Sequence, residues 1–444
     1  MSNATVAQNK TVSFYTLGCK LNQYETEGMR EAFRKRGIRI VPFGEPSDIC
    51  VVHTCTVTQR TDYQCRQALR RAARVCKDGL VVATGCYAQT NPNSLAQIEG
   101  VGLVVGTAGK TELPDLIERV LDGGPKIAIG PREELRRFAE WDVRGLSEHT
   151  RALLKIQDGC DRFCSYCIVP FARGPSRSRT PENVLREAKR LVEQGYREIV
   201  LTGVHIAQYG LDLSPPLDLL DILERLDRLE GLERFRLSSI ACTDFSEPWI
   251  DFVARSKKVC RHVHISLQSG DDEILRRMNR SYGADARREV ISLLHERVPG
   301  IALGADVIAG FPGESDAQFE RTRRLVEELP FSYLHVFPFS KRPGTKAAGM
   351  ENPVPEKVKK ERAAVLRGIG EAKRRAFAEQ FVGQTLPILF EGRRDRKTGL
   401  LTGLSDNYIR IAAEGEDAWM GRIVDVQVKG AVNGQMRGCI EGSA

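Results

Sequence analysis

Residues 151–180 read RALLKIQDGCDRFCSYCIVPFARGPSRSRT. The apolar run at 152–156 predicts a short buried strand, and Cys160, Cys164 and Cys167 follow in the spacing CxxxCxxC, on a loop at that strand's C-terminal end. Three cysteines so placed bind three corners of an iron–sulfur cube and leave its fourth iron open to another ligand. A zinc site is the alternative, but closed zinc sites take four ligands and no fourth Cys or His lies beside this loop. An odd number of thiols suits a disulfide poorly.

Downstream, apolar segments at 198–202, 235–239, 263–267, 303–308 and 333–337 alternate with helical stretches. With 152–156 they make six strands, which fit a partial (β/α)6 barrel over 151–378 whose site lies above the strands' C-terminal ends. A long basic helix over 354–380 leads out of it. Residues 379–444 then break into short strands at 386–390, 400–403, 408–412 and 423–428, a small antiparallel β-barrel. Arg393, Arg394, Arg396, Lys397, Arg410, Arg422 and Lys429 offer this barrel a basic face suited to RNA.

Upstream, residues 11–122 alternate strands at 12–17, 49–54, 80–84 and 103–105 with helices at 24–36, 64–75 and 112–121, the pattern of a parallel α/β domain. Ligands of such domains gather at the carboxyl ends of strands. Cys19, Cys55 and Cys86 each follow a strand by a residue or two, so they converge on a second metal site or are incidental buried thiols. Cys50, Cys65, Cys76, Cys242, Cys260 and Cys439 read as incidental. Residues 123–150 read as a polar linker with one short strand.

The bulk numbers agree with a multidomain protein of the reducing cytoplasm. The 444 residues exceed one ordinary core, and the 12 cysteines stand in clusters with no basic-then-apolar leader, so metal binding is expected rather than disulfides. The opening residues MSNATVAQNK read as a polar tail. No apolar run approaches the roughly 20 residues of a membrane span. Lys and Arg number 66 against 58 acidic residues, a balance that admits a polyanionic partner.

These parts, in this order, resemble the methylthiotransferases, a radical S-adenosylmethionine (SAM) family built of an N-terminal α/β domain, a radical SAM barrel and a C-terminal TRAM domain. The cysteine loop, with Phe163 and Tyr166 each just before a cysteine, is similar to the superfamily's signature, while GCKLNQYETE, HTCTVT and TGCYAQ are similar to the family's N-terminal motifs. The resemblance implies two 4Fe-4S clusters, one on Cys19, Cys55 and Cys86 and one on Cys160, Cys164 and Cys167. It also implies SAM contacts at Tyr166, at Thr202 and Gly203 in LTGVH, at Ser266 and Gln268 in SLQSG, and at Ile308 and Gly310 in GADVIAGFPGE.

Within the family the match is to enzymes that methylthiolate C2 of N6-threonylcarbamoyladenosine beside the tRNA anticodon, carried by HTCTVT, GCDRFCSYCIVPFARGPSRSR and HVFPFSKRPGT. SAM is then both methyl donor and radical source, the partners are the tRNA anticodon loop and an electron donor, and the place of action is the cytoplasm. Arg173, Arg177 and Arg179 are expected to meet the threonyl carboxylate or, alternatively, phosphate or an acidic neighbour. Sister activities on isopentenyladenosine or on a ribosomal-protein aspartate, and a non-catalytic iron–sulfur RNA-binding protein, are the competing readings.

Overall fold

The computed structural model describes residues 10–143, 149–280 and 283–440. The polar tail lies, apart from Lys10, outside the described residues, as does the linker stretch 144–148.

Six strands form the N-terminal sheet: β1 (Thr11–Thr16), β2 (Arg39–Val41), β3 (Ile49–Thr54), β4 (Leu80–Gly85), β5 (Val101–Val105) and β6 (Ile127–Ala128). All pair in parallel in the order β2-β1-β3-β4-β5-β6. Strand β3, ICVVHT, is buried along its whole length, as a run covered on both faces must be. The short β6 is the strand expected within the linker.

Helix α1 (Lys20–Lys35) follows β1 directly. It starts four residues before the expected 24, since Lys20, Asn22 and Gln23 carry no apolar signal although Asn22 is buried.

The second domain has strands β7 (Ala152–Lys155), β8 (Glu198–Thr202), β9 (Arg234–Leu237), β10 (His262–Gln268), β11 (Ala302–Ala309) and β12 (Tyr333–Pro338). They pair in parallel as two halves, β9-β8-β7 and β10-β11-β12. Single bridges, Phe235 to Val259 and Ile240 to Ile265, tie the halves into one open barrel. Alternate side chains such as Leu154, Ile199, Leu201, Phe235, Val263, Ile265, Leu303 and Val307 pack outward in one core with the surrounding helices.

The inward set is largely polar: Lys155 on β7, Glu198 on β8, Arg234 and Arg236 on β9, His262 and His264 on β10, Asp306 on β11, and Tyr333 and His335 on β12. Leu153 and Val200, also inward, join the core of the N-terminal domain. That domain therefore closes the open side of the partial barrel.

Helix α2 (Glu356–Glu379) leads to the third domain. Its basic face is not wholly solvated, because Arg362 is buried on Glu314 and Asp316, each at 2.7 Å. The closing barrel has five strands, β13 (Thr385–Arg394), β14 (Leu401–Ser405), β15 (Arg410–Ala413), β16 (Ile423–Val432) and β17 (Gln435–Ile440). Strand β17 escaped the sequence reading because QMRGCI carries little apolar alternation. It also corrects the expected purely antiparallel barrel, which closes through a parallel pairing of β15 with β17.

This barrel caps the N-terminal end of the larger one. Arg234 donates to Pro387 O (3.1 Å) and Leu404 O (2.8 Å), and Arg236 to Ser405 O (2.9 Å) and Asp406 O (2.8 Å). Tyr408 stacks on His262 with ring centroids 4.2 Å apart.

Candidate active site between the sheet and the barrel

Register brings the first thiol set together. Strands β1, β3 and β4 are neighbours, Thr16 pairs with His53 and Thr54 with Gly85, so residues just beyond these strands emerge side by side. Those residues are Cys19, the N-cap of α1, then Cys55 and Cys86. Two glycines permit the approach. Gly18 has φ +109°, and a Cβ there would lie 2.7 Å from Cys55 Cβ and 2.9 Å from its Sγ; Gly85 has φ +102°, and a Cβ would lie 2.5 Å from Thr54 O. Asn22 locks the arrangement by donating to Leu17 O (2.8 Å) and Thr54 O (3.2 Å).

Cys55 and Cys86 are buried while Cys19 is exposed. Burial, reinforced by Cys86 and Cys19, pushes the Cys55 thiol up to about 12. Burial also raises Cys86, against the opposing pull of Arg173 and Lys110. To serve as ligands, thiols held so firmly in the protonated form would have to give their protons up to a metal.

The second set lies above the C-terminal ends of the barrel strands. Gly159, at φ +71°, turns the chain after β7, Cys160 N donates to Gly174 O (3.1 Å), and Phe163 is left-handed at φ +44°. Asn279 holds that turn through Arg162 O (3.2 Å) and Phe163 O (3.1 Å). All three thiols are half-buried, and burial together with Cys164 and Cys160 pushes Cys167 up to about 12.

Around this loop, Thr202 ends β8 with Gly203 beside the Gln157 side chain, and Ser266 and Gln268 end β10. Ile308 lies near the end of β11, followed by Gly310, whose N–H donates to Glu314 (2.8 Å). Tyr166 packs against the apolar group of Ile274, Ile308 and Phe339.

The donor chemistry fits iron–sulfur clusters better than single ions. Thiolates on one tetrahedral zinc, each about 2.3 Å from it, lie about 4 Å apart. Among the described residues neither triplet draws its three sulfurs within 4.8 Å of one another.

Three family descriptions match the chain: "Uncharacterized protein family UPF0004" over residues 11–106, "Radical SAM superfamily" over 154–326 and "TRAM domain" over 379–438. A Bacillus subtilis protein named threonylcarbamoyladenosine tRNA methylthiotransferase MtaB is 40% identical, covering 94% of this chain and 93% of its own length. An Aquifex aeolicus protein of the same name is 38% identical over 94% of this chain and 100% of its own. The chain belongs to the radical SAM tRNA methylthiotransferases. A Moorella thermoacetica tRNA-2-methylthio-N(6)-dimethylallyladenosine synthase is 33% identical over 98% of this chain and 99% of its own. Among solved structures, the radical SAM methyltransferase TsrM from Kitasatospora setae shares the fold, with a TM-score of 0.60 over 77% of this chain and 75% of that one at 17% identity.

In this methylthiotransferase the two thiol sets are bridged by a buried ionic network. Arg173, just past the cysteine loop, donates to Asn22 Oδ1 (2.7 Å), Glu25 Oε1 (2.9 Å) and Asp158 Oδ1 (3.0 Å). Lys110 also binds Glu25, while Lys155 binds both Glu25 and Asp158 and Arg177 binds Asp158, these last three bonds at 2.7 Å. Burial alone would raise the Glu25 carboxyl, but Arg173, Lys110 and Lys155 outweigh it and hold it well below the usual range. Four cations face two carboxylates here, a surplus that favours negative charge on the adjoining thiols.

Of the alternatives expected for the three arginines, the network shows the acidic neighbour. Arg173, Arg177 and Arg179 are only 2–3% exposed; the first two bind Glu25 and Asp158, and Arg179 faces Tyr24 (3.3 Å) and Glu187 (3.8 Å). Arg173 and Arg179 reach from the barrel domain to Asn22, Glu25 and Tyr24 of the N-terminal domain, Arg177 stays within the barrel domain, and all three are buried. Sequence reasoning missed Glu25, Lys110 and Asp158, and the signal available was Lys155, a lone charge inside the apolar run ALLKI.

It also missed a layer of rings inside the barrel. Tyr333 OH meets His262 Nε2 (2.8 Å) and His264 Nδ1 (2.9 Å), and His264 Nε2 meets Asp306 (2.9 Å), with His335 3.6 Å from the same carboxylate oxygen. Burial, then Arg236, His264, Lys20 and Arg151, hold His262 neutral, well below the ordinary histidine range.

Proposed function

We propose that this chain methylthiolates C2 of N6-threonylcarbamoyladenosine next to the tRNA anticodon, in the cytoplasm, with SAM as methyl donor and radical source and two 4Fe-4S clusters. Residues 11–122 would hold one cluster on Cys19, Cys55 and Cys86, residues 151–378 the other on Cys160, Cys164 and Cys167, and residues 379–444 would grip RNA. The observation that carries the reading is the Arg173–Asn22 bond at 2.7 Å, which joins the helix starting at Cys19 to the segment following Cys167 and supports the two triplets serving one substrate.

C2 of adenine has neither an acidic proton nor a leaving group, so side-chain acids and bases have no purchase on it. When bound, the clusters and SAM supply the radical and the methylthio group. The protein's part is orientation and exclusion of water. The loop at Phe163 to Tyr166 is pinned by Asn279 and by Ser165, whose N–H donates to Met278 O (2.9 Å). Thr202, Gly203, Ser266, Gln268, Ile308 and Gly310 are the strand-end positions available to SAM, with Tyr166 beside them. The purine must leave the anticodon-loop stack, which a single-stranded loop allows at modest cost.

Relatives named for threonylcarbamoyladenosine reach 40% identity, against 33% for those named for dimethylallyladenosine, which favours the carbamoyl substrate. The test is nucleoside mass analysis after anaerobically reconstituted protein is incubated with SAM, a reductant and tRNA carrying N6-threonylcarbamoyladenosine. The 2-methylthio product is expected, and it should vanish in Cys160→Ala and in Cys55→Ala. Product from isopentenyladenosine tRNA alone would reverse the substrate assignment.

A further inference from the structure

With Arg173 and Arg177 bound to protein carboxylates and Arg179 buried beside Tyr24 and Glu187, a substrate carrying a free carboxylate has to meet its cation elsewhere. A cavity of about 630 Å³ lies where all three domains meet, a size usual for a small-ligand pocket. Lys20 enters it from α1, Arg151 from the residue before β7, Leu153 and Val200 from the barrel interior, and Glu391 and Arg393 from β13.

The polar groups there are unequally matched. Glu391 is already held by Arg410 through two bonds, of 2.7 and 3.1 Å. Arg151 reaches only the outskirts of Glu198, at 3.9 Å, and that carboxylate is already bound by Arg234 (2.7 Å) and Arg236 (2.8 Å). Lys20 has no carboxylate within 4 Å among the described residues, although protein surrounds its ammonium on several sides and its residue is open to solvent through the cavity. Lys20 directly follows Cys19, which is itself exposed.

We infer that Lys20 and Arg151 form a binding site for the carboxylate of the modified base, seating the N6 substituent in the inter-domain cavity while the purine ring lies toward the cysteine sets. The inference rests on the proposed substrate and names the residues that select it. Leu153 and Val200 back the cavity from the core with little surface of their own, so recognition falls to two cations without a full protein partner, which suit the charged end of the carbamoyl arm. An RNA phosphate is the competing anion. It would more readily be met on the outer surfaces than in a cleft between domains.

Two tRNAs decide the question, one bearing N6-threonylcarbamoyladenosine and one bearing its carboxyl methyl ester, compared by kcat/KM for methylthiolation. Wild type should prefer the free acid by about tenfold or more, the scale of a charge-assisted hydrogen bond in a confined site. Lys20→Gln and Arg151→Gln should each reduce that ratio and together abolish it, while Lys20→Arg should keep most of it. Cluster spectra and melting temperature of each variant would report intact folding.

A ratio unchanged in the double variant would overturn the site, and so would an equal loss on acid and ester, the mark of a phosphate contact. Wild type that makes no product from the acid, yet makes it from isopentenyladenosine tRNA, would instead overturn the proposed function and this site with it.

Discussion

Gly18 carries a constraint that no side chain can meet. At φ +109°, and with a Cβ placed 2.7 Å from Cys55 Cβ, alanine strains the backbone and pushes Cys55 away from Cys19 and Cys86. Gly18→Ala should halve the iron bound per chain and leave the spectrum of the barrel cluster intact, as iron analysis with electron paramagnetic resonance would show. Glu25 is the counterpart in charge. Glu25→Gln leaves Arg173, Lys110 and Lys155 buried around a neutral amide, at a cost of about 3–5 kcal/mol near neutral pH. Because the folded Glu25 carboxyl titrates below its unfolded value, its contribution is present above about pH 4 and is lost as the pH falls further. The stability gap between wild type and Glu25→Gln, followed by denaturant melts, should therefore narrow toward acid. The loop of Cys160, Cys164 and Cys167 carries its own spacing signal, whereas Cys19, Cys55 and Cys86, far apart in sequence, stand out only through the family resemblance. Which partner Arg173 takes was not legible, because Glu25 and Asn22 lie far upstream and adjacency to the cysteine loop says nothing about which way a side chain turns.

Among elements, the strands were read most accurately where both faces are covered, as in β3 and β8, whose expected bounds match the structure. Strands at the rim of the third domain were legible only in part, since β17 closes the barrel by backbone pairing rather than by apolar pattern. The contact between β9 and the β14–β15 turn was invisible for a different reason: Arg234 and Arg236 alternate in RFRL as an exposed strand face would, yet both are buried against carbonyls of another domain. Burial raises Glu198, but Arg236 and Arg234 overcome it and bring it down to about 2. Arg236→Met removes the bonds to Ser405 O and Asp406 O and half of this pairing, and should destabilise the chain by about 3 kcal/mol. The same change should expose the junction after α2, at residues 380–384, to limited proteolysis.

At the scale of the molecule, the three domains pack on one another: Leu153 and Val200 of the barrel join the core of the N-terminal sheet on the open side, and the third domain caps the barrel's N-terminal end. The cavity at their junction draws its lining from all three, so no single stretch of sequence reveals it. Access for tRNA then depends on charge on the outer surface. Of the basic residues expected to bind RNA, Arg394 is tied to Asp417 and Arg410 to Glu391, whereas Arg393, Arg396 and Lys397 are exposed along one edge of the third domain. If these three each neutralise a phosphate, the logarithm of tRNA affinity should fall linearly with the logarithm of salt concentration, and the slope should shrink by roughly 0.7–0.9 for each one replaced by glutamine. Arg394→Gln and Arg410→Gln should leave the slope nearly unchanged, because their charge is already spent on protein carboxylates. Filter binding of tRNA between low and physiological salt measures the slopes directly, and equal effects from the tied and the exposed arginines would move the RNA path to another face.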